Sequence, residues 1–146
     1  MDTCRSPHQR MLRTLLLAVL LESPAVLAAD GPWEKAQREC DRLREEGHYL
    51  AAESFCRQAL NEAEQFGMLD PRLATSQSNL GTLYLRLGRV PEAESLFQRA
   101  LETMQRQANP DVAELAAAWN NLGQIYLIRE QLPEAENHFR RALAHW

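Results

Sequence analysis

Two kinds of hydrophobic pattern divide this chain. Near the start the apolar residues are contiguous, with a core from Leu15 to Leu21. Beyond residue 30 they recur every three or four positions among Leu, Ala, Glu, Gln and Arg, the spacing that gathers apolar side chains on one side of an α-helix. Pro32, Pro71, Pro91, Pro110 and Pro133 fall where such helices can begin, and Asp70 and Asn109 precede two of them as N-cap residues. The pattern predicts six helices, over residues 32–46, 49–66, 71–87, 91–108, 110–129 and 133–146, paired as three antiparallel hairpins.

The hairpins are copies of one unit. Leu80-Gly81-x-x-Tyr84 returns forty-two residues later as Leu122-Gly123-x-x-Tyr126, and Pro91-Glu92-Ala93-Glu94 returns at the same offset as Pro133-Glu134-Ala135-Glu136. The register holds through Phe97 and Phe139, Ala100 and Ala142, and Leu101 and Leu143. A more worn copy lies upstream, with Gly47, Tyr49, Ala52, Ala59 and Leu60 forty-one residues before Gly88, Val90, Ala93, Ala100 and Leu101. Three repeats are the usual minimum for a stable stack. Gly81 and Gly123 fall inside predicted helices, where glycine costs about 1 kcal/mol relative to alanine. Close approach of the partner helix, with Phe97 and Phe139 laid over the missing side chains, is the expected compensation.

Trp119-x-x-Leu122-Gly123-x-x-Tyr126, followed by Ala135-x-x-x-Phe139, resembles the tetratricopeptide signature, and the resemblance spans Trp33 to Trp146. The long period, Asn109-Pro110-Asp111-Val112-Ala113 and Asn120-Asn121-Leu122 are similar to the kinesin-light-chain variety of that family. The resemblance implies an all-α fold, a right-handed α-solenoid of three helix hairpins, with repeats over 32–67, 71–108 and 110–146 in a domain covering 29–146. Three positions depart from the pattern. Glu130 stands where the other copies have Gly47 and Gly88, and Glu39 and Cys40 replace the Leu and Gly of the first copy.

For function, the resemblance implies a protein-interaction scaffold whose first helix in each hairpin lines a concave groove. By that likeness the lining includes Gln37, Asp41, Thr75, Ser78 and Thr82 beside a peptide-binding set of Asn79, Asn120, Asn121 and Gln124. Asn79 and Asn121 are repeat equivalents and are similar to the asparagine ladder that grips an extended peptide. A carboxamide both donates and accepts, so it can read main chain without reading sequence. A merely solvated Asn is the alternative. Arg44 and Arg86 would select acidic residues, and Leu85 or Ile128 would accept an apolar anchor; Leu85 and Leu127 can equally pack against the neighbouring hairpin. Gln37 and Asp41 stand where chaperone-binding relatives need Lys and Asn, so carboxylate capture is not expected.

Cys40 and Cys56 take the places of Gly81 and Phe97 one repeat earlier, where helices of this family come closest. Each also lies eight residues from His48, taken as the turn. The resemblance thus implies a Cys40–Cys56 disulfide; two buried thiols acting as small apolar side chains are the alternative.

The first residues read as a cleaved secretory signal over 1–28. Arg5, Arg10 and Arg13 precede the apolar core, and Pro24 and Val26-Leu27-Ala28 supply the break and the small-residue cleavage pattern. The apolar run is far short of the roughly 20 residues that span a bilayer, so no stable membrane span is expected. Export to the periplasm or the outside of the cell follows. Removal of this segment leaves 118 residues and moves the net charge from −4 to −5, because three arginines and two acids leave with it.

A mildly acidic chain without a basic cluster argues against a nucleic-acid partner. No phosphate loop, Cys-x-x-Cys, His-Glu-x-x-His or Gly-x-Ser-x-Gly occurs, so neither an enzyme nor a cofactor is expected. Glu134 and His138 share a helix face, with His145 two turns on; they could begin a metal site, but an intra-helical pair plus a surface histidine is the expectation. His48 is expected to face water. The sequence reading is therefore an exported, non-enzymatic scaffold for a peptide or protein partner. Its alternative is a self-assembling structural module of the cell envelope, a homo-oligomer stacking through a third repeat that ends at Trp146 without a polar cap.

Overall fold

The computed structural model describes residues 30–144; the secretory signal expected over 1–28, Ala29, His145 and Trp146 lie outside the described residues. Six helices are found there: α1 Pro32–Glu45, α2 Tyr49–Glu64, α3 Pro71–Arg86, α4 Val90–Arg106, α5 Val112–Ile128 and α6 Leu132–Ala144. Each helix packs against the next, and the strongest pairings are α1 with α2, α3 with α4 and α5 with α6. The described chain is therefore an all-α stack of three hairpins.

The helix starts follow from local chemistry. Asp70 caps α3 by accepting from the Arg72 amide at 2.9 Å, and Pro71 occupies the first turn, where its missing N–H is harmless. The expected cap of α5, Asn109 ahead of Pro110, is not the one used. Asp111 caps it instead, its carboxylate accepting from the amides of Ala113 at 2.8 Å and Glu114 at 3.1 Å. One carboxylate there satisfies two orphan donors, and Pro110 stays outside the helix.

All three hairpin turns close in the same way. At the end of α1, His48 N–H donates to Leu43 C=O at 2.8 Å and Gly47 N–H to Arg44 C=O at 3.1 Å. Arg89 and Gly88 repeat these bonds to Tyr84 and Leu85, and Gln131 and Glu130 repeat them to Tyr126 and Leu127. This double bond pattern needs a left-handed residue after the helix. Gly47 and Gly88 supply it at φ 78° and 75°, but Glu130 adopts it at φ 58°, with a Cβ that disfavours that region.

The core sits between the two helices of each hairpin. Phe97, fully buried, covers Gly81 so closely that a Cβ there would meet its ring at 2.8 Å; Phe139 covers Gly123 in the same way, at 2.6 Å. The expected compensation for the helical glycines is thus present. In the first hairpin a disulfide between Cys40 and Cys56 occupies that place, with Cα atoms 4.9 Å apart and both residues buried. Between hairpins, Trp33 Nε1 donates to Ser76 Oγ at 2.8 Å, and Thr103 Oγ1 to Gln77 Oε1 at 3.2 Å within the second.

Candidate peptide-binding groove

The residues of α3 that the core does not use form one stripe. Thr75, Asn79, Thr82 and Arg86 lie four, three and four positions apart, so they share a helix face, opposite the buried Leu73, Gln77, Leu80 and Tyr84. Their equivalents on α5 are Ala117, Asn121, Gln124 and Ile128, opposite the buried Leu115, Trp119 and Leu122. Asn79, Asn120 and Asn121 are half-buried. Among the described residues none of these three carboxamides, nor that of Gln124, hydrogen-bonds to another protein group, so donors and acceptors remain available. Arg86 likewise makes no ion pair there.

The first hairpin differs. Arg44 is tied to Asp41 at 2.8 Å, and Asp41 also accepts from Gln37 Nε2 at 2.9 Å. Arg44 is therefore already neutralised within its own helix. Gln37, expected on the groove wall, is 7 % exposed and sits at the same repeat position as Ser78 and Asn120. Gln37 Oε1 and Ser78 Oγ are buried without a protein partner. At the place of Asn79 and Asn121 the first hairpin has Arg38, so the asparagine pair spans two hairpins only. Leu85 is half-buried and packs against the core, whereas Leu127 and Ile128 are 50 % and 55 % exposed.

Two arrangements were not legible in the sequence. On the outer side, Tyr84 Oη donates to Glu53 Oε1 at 3.2 Å while Arg89 pairs with the same oxygen at 2.9 Å and lies over the Tyr84 ring. Burial first, and then the Glu53 carboxylate, push the Tyr84 hydroxyl above its ordinary pKa. Glu94 stands at the equivalent place between α4 and α5, where it pairs with Arg129 at 2.6 Å; burial first, and then the Glu94 carboxylate, raise the Tyr126 hydroxyl's pKa. The shared signal was Glu53 and Glu94 at repeat-equivalent places, each followed by a Tyr thirty-one or thirty-two residues on.

The second arrangement corrects the expectation for His138. It makes no pair with Glu134; its ring stacks on Tyr126 at 4.8 Å and lies tilted 5.3 Å from Trp119, and Arg141 lies over the Trp119 ring, 4.7 Å from its centroid. Stacking over two aromatic rings buries more apolar surface than a solvated pair with Glu134 would. Burial, then Arg141, hold His138 below the usual imidazole pKa, opposed by Glu94. Among the described residues no group of three His, Cys, Asp or Glu is placed to hold a metal ion, and no helix is long and apolar enough to cross a membrane.

A stack of antiparallel hairpins with buried Gly–Phe contacts and a polar inner stripe defines the class of helical-repeat scaffolds. The chain belongs to the tetratricopeptide repeat family, whose profile matches residues 42–106 and 72–146. It is similar to a kinesin-light-chain-like member of that family, BtubC (BKLC) from P. vanneervenii, in crystal structure: 26 % identity, TM-score 0.68, over 75 % of this chain and 46 % of that one. The chain thus spans less than half the length of that relative. A search of curated proteins gave no match. Tetratricopeptide repeats generally mediate protein–protein interaction and are typically non-enzymatic.

Proposed function

We propose that this protein is an exported scaffold that binds a peptide segment of a protein partner in the groove formed by α1, α3 and α5. The observation that carries the reading is the pair Asn79 and Asn121: repeat-equivalent, half-buried, and engaged by no other protein group among the described residues. Packing does not require Asn on that face, and its amide can bond to main chain. Gln124 extends the polar track, Arg86 offers an unpaired cation to an acidic side chain, and the exposed Ile128 offers an apolar contact. Export rests on the arginines, short apolar run and small-residue site of residues 1–28.

The test is capture of partners from the producing cells by the native protein and by the Asn79→Ala/Asn121→Ala variant, after both give the same helicity and melting. Loss of the captured partner from the variant supports the groove. Undiminished capture removes it.

Self-association is the second reading, and one observation favours it. Leu143 on α6 is 72 % exposed and offers an apolar contact to a second copy. Light scattering that gives a monomer at high concentration would count against it.

A further inference from the structure

A cleft of about 500 Å³ opens between α2 and α4 on the outer side of the stack, across α3. Its floor is apolar, made of the buried Leu60, Leu80, Tyr84 and Leu96. Its rim carries Arg57 from α2, Arg89 from the turn and Arg99 from α4, with the Glu92 carboxylate among them.

The three arginines are not equivalent. Arg89 is shared between Glu53 at 2.9 Å and Glu92 at 3.0 Å, and Arg99 reaches Glu64 at 3.4 Å. Arg57 has no ion pair among the described residues, although it lies close enough to the Tyr84 hydroxyl to offset part of that group's raised pKa. An adjoining depression, lined also by Glu53 and Glu62, shares Arg57 and Asn61 and runs along α2 to Leu50, which is 81 % exposed. Apolar floor, free guanidinium and exposed leucine therefore lie on one track.

The repeat shows that this track is particular to the first junction. Between α4 and α6 the equivalent of Arg57 is Gln98, and the equivalent of Leu96 is His138, stacked on Tyr126. Arg141, the equivalent of Arg99, is drawn over Trp119, a ring that has only Gln77 as its counterpart at the first junction. There Arg141, which makes no ion pair either, is held over the Trp119 ring and donates to Asn137 Oδ1 at 3.0 Å instead of standing free beside a cleft.

We propose that the outer cleft is a second docking site, for a peptide segment that carries a carboxylate next to an apolar side chain. The apolar side chain would cover Leu60, Leu80 and Leu96, and the carboxylate would take the two parallel hydrogen bonds that the Arg57 guanidinium offers. Its residues are separate from the asparagine stripe, so the two sites stand or fall independently.

The probe is an acetylated, amidated peptide of sequence Ser-Glu-Leu-Glu-Phe-Ser, titrated into isotope-labelled native protein and followed by nuclear magnetic resonance, beside its analogue with Gln for Glu. Shifts are expected at Arg57, Ser95 and Leu96. Affinity should fall about fivefold for the Gln peptide and for Arg57→Gln, the size of one partly exposed charge pair. Ser95→Phe, which fills the cleft, should abolish the shifts with helicity retained, and Asn79→Ala/Asn121→Ala should leave them unchanged. Equal affinity of both peptides, or shifts confined to α1, α3 and α5, would overturn the proposal. The same shifts appearing on concentrating the protein alone would also overturn it, by assigning the cleft to a second copy.

Discussion

Single residues differ most where the repeat places unlike neighbours at like positions. Gly81 and Gly123 are both covered by a phenylalanine, and the nearer ring atom belongs to Gly123. Phe97 is fully buried, however, while Phe139 is half-buried and has room to turn outward. Gly81→Ala is therefore expected to destabilise by roughly 1–3 kcal/mol, as overpacking does, whereas the helix gain of about 1 kcal/mol should offset most of the smaller strain in Gly123→Ala. Thermal melts of the two variants check this order, and equal losses would contradict it. His138 gives a pH-dependent case. Its folded-state pKa lies below the ordinary imidazole value, so the unfolded chain takes up the proton first. The stability due to neutral His138 is complete above a pH of about 6.5 and is lost as pH falls through the folded-state value. Denaturant melts between neutral and mildly acidic pH should show that decline, and His138→Leu, the residue found at the equivalent Leu96, should remove it. The glycine–phenylalanine contacts were legible from register alone. The His138 stack was not, because spacing assigns a face to a side chain but not the ring it meets there.

Among the elements, the hydrophobic spacing was sufficient for the number and pairing of the helices, and proline for most of their starts. It misplaced the cap of α5, since Asn109 and Asp111 are both good caps and only the folded loop decides which side chain reaches free amides. Asp111→Ala should cost about 1 kcal/mol and Asn109→Ala much less, read from chemical denaturation of the two variants. The turns show the opposite limit: Glu130 was visible as a departure from Gly47 and Gly88, and the turn forms regardless with a left-handed glutamate. The first hairpin replaces a Gly–Phe contact by the Cys40–Cys56 bridge, which joins residues 16 apart. Closing a loop of that length is worth about 3 kcal/mol in the chain-entropy model. Reductant, or Cys40→Ala/Cys56→Ala, should lower the melting temperature accordingly; an unchanged melt would show that the bridge constrains nothing.

Over the whole molecule, two surfaces of different character result from one repeated unit. The inner stripe keeps repeat-equivalent amides, which is why it could be read from sequence through the family likeness. The outer cleft depends on which arginines fold back onto carboxylates or rings, and no repeat register records that. In the third hairpin Leu127, Ile128 and Leu143 are exposed. The proposed groove requires Asn79 and Asn121 to act together on the main chain of a bound segment. Its most direct measurement is the side-chain amide resonances of both residues during titration with the minimal segment of a captured partner. Both pairs of amide protons should move in parallel and saturate at the same concentration; amides that stay still while the segment binds would rule out this mode of binding.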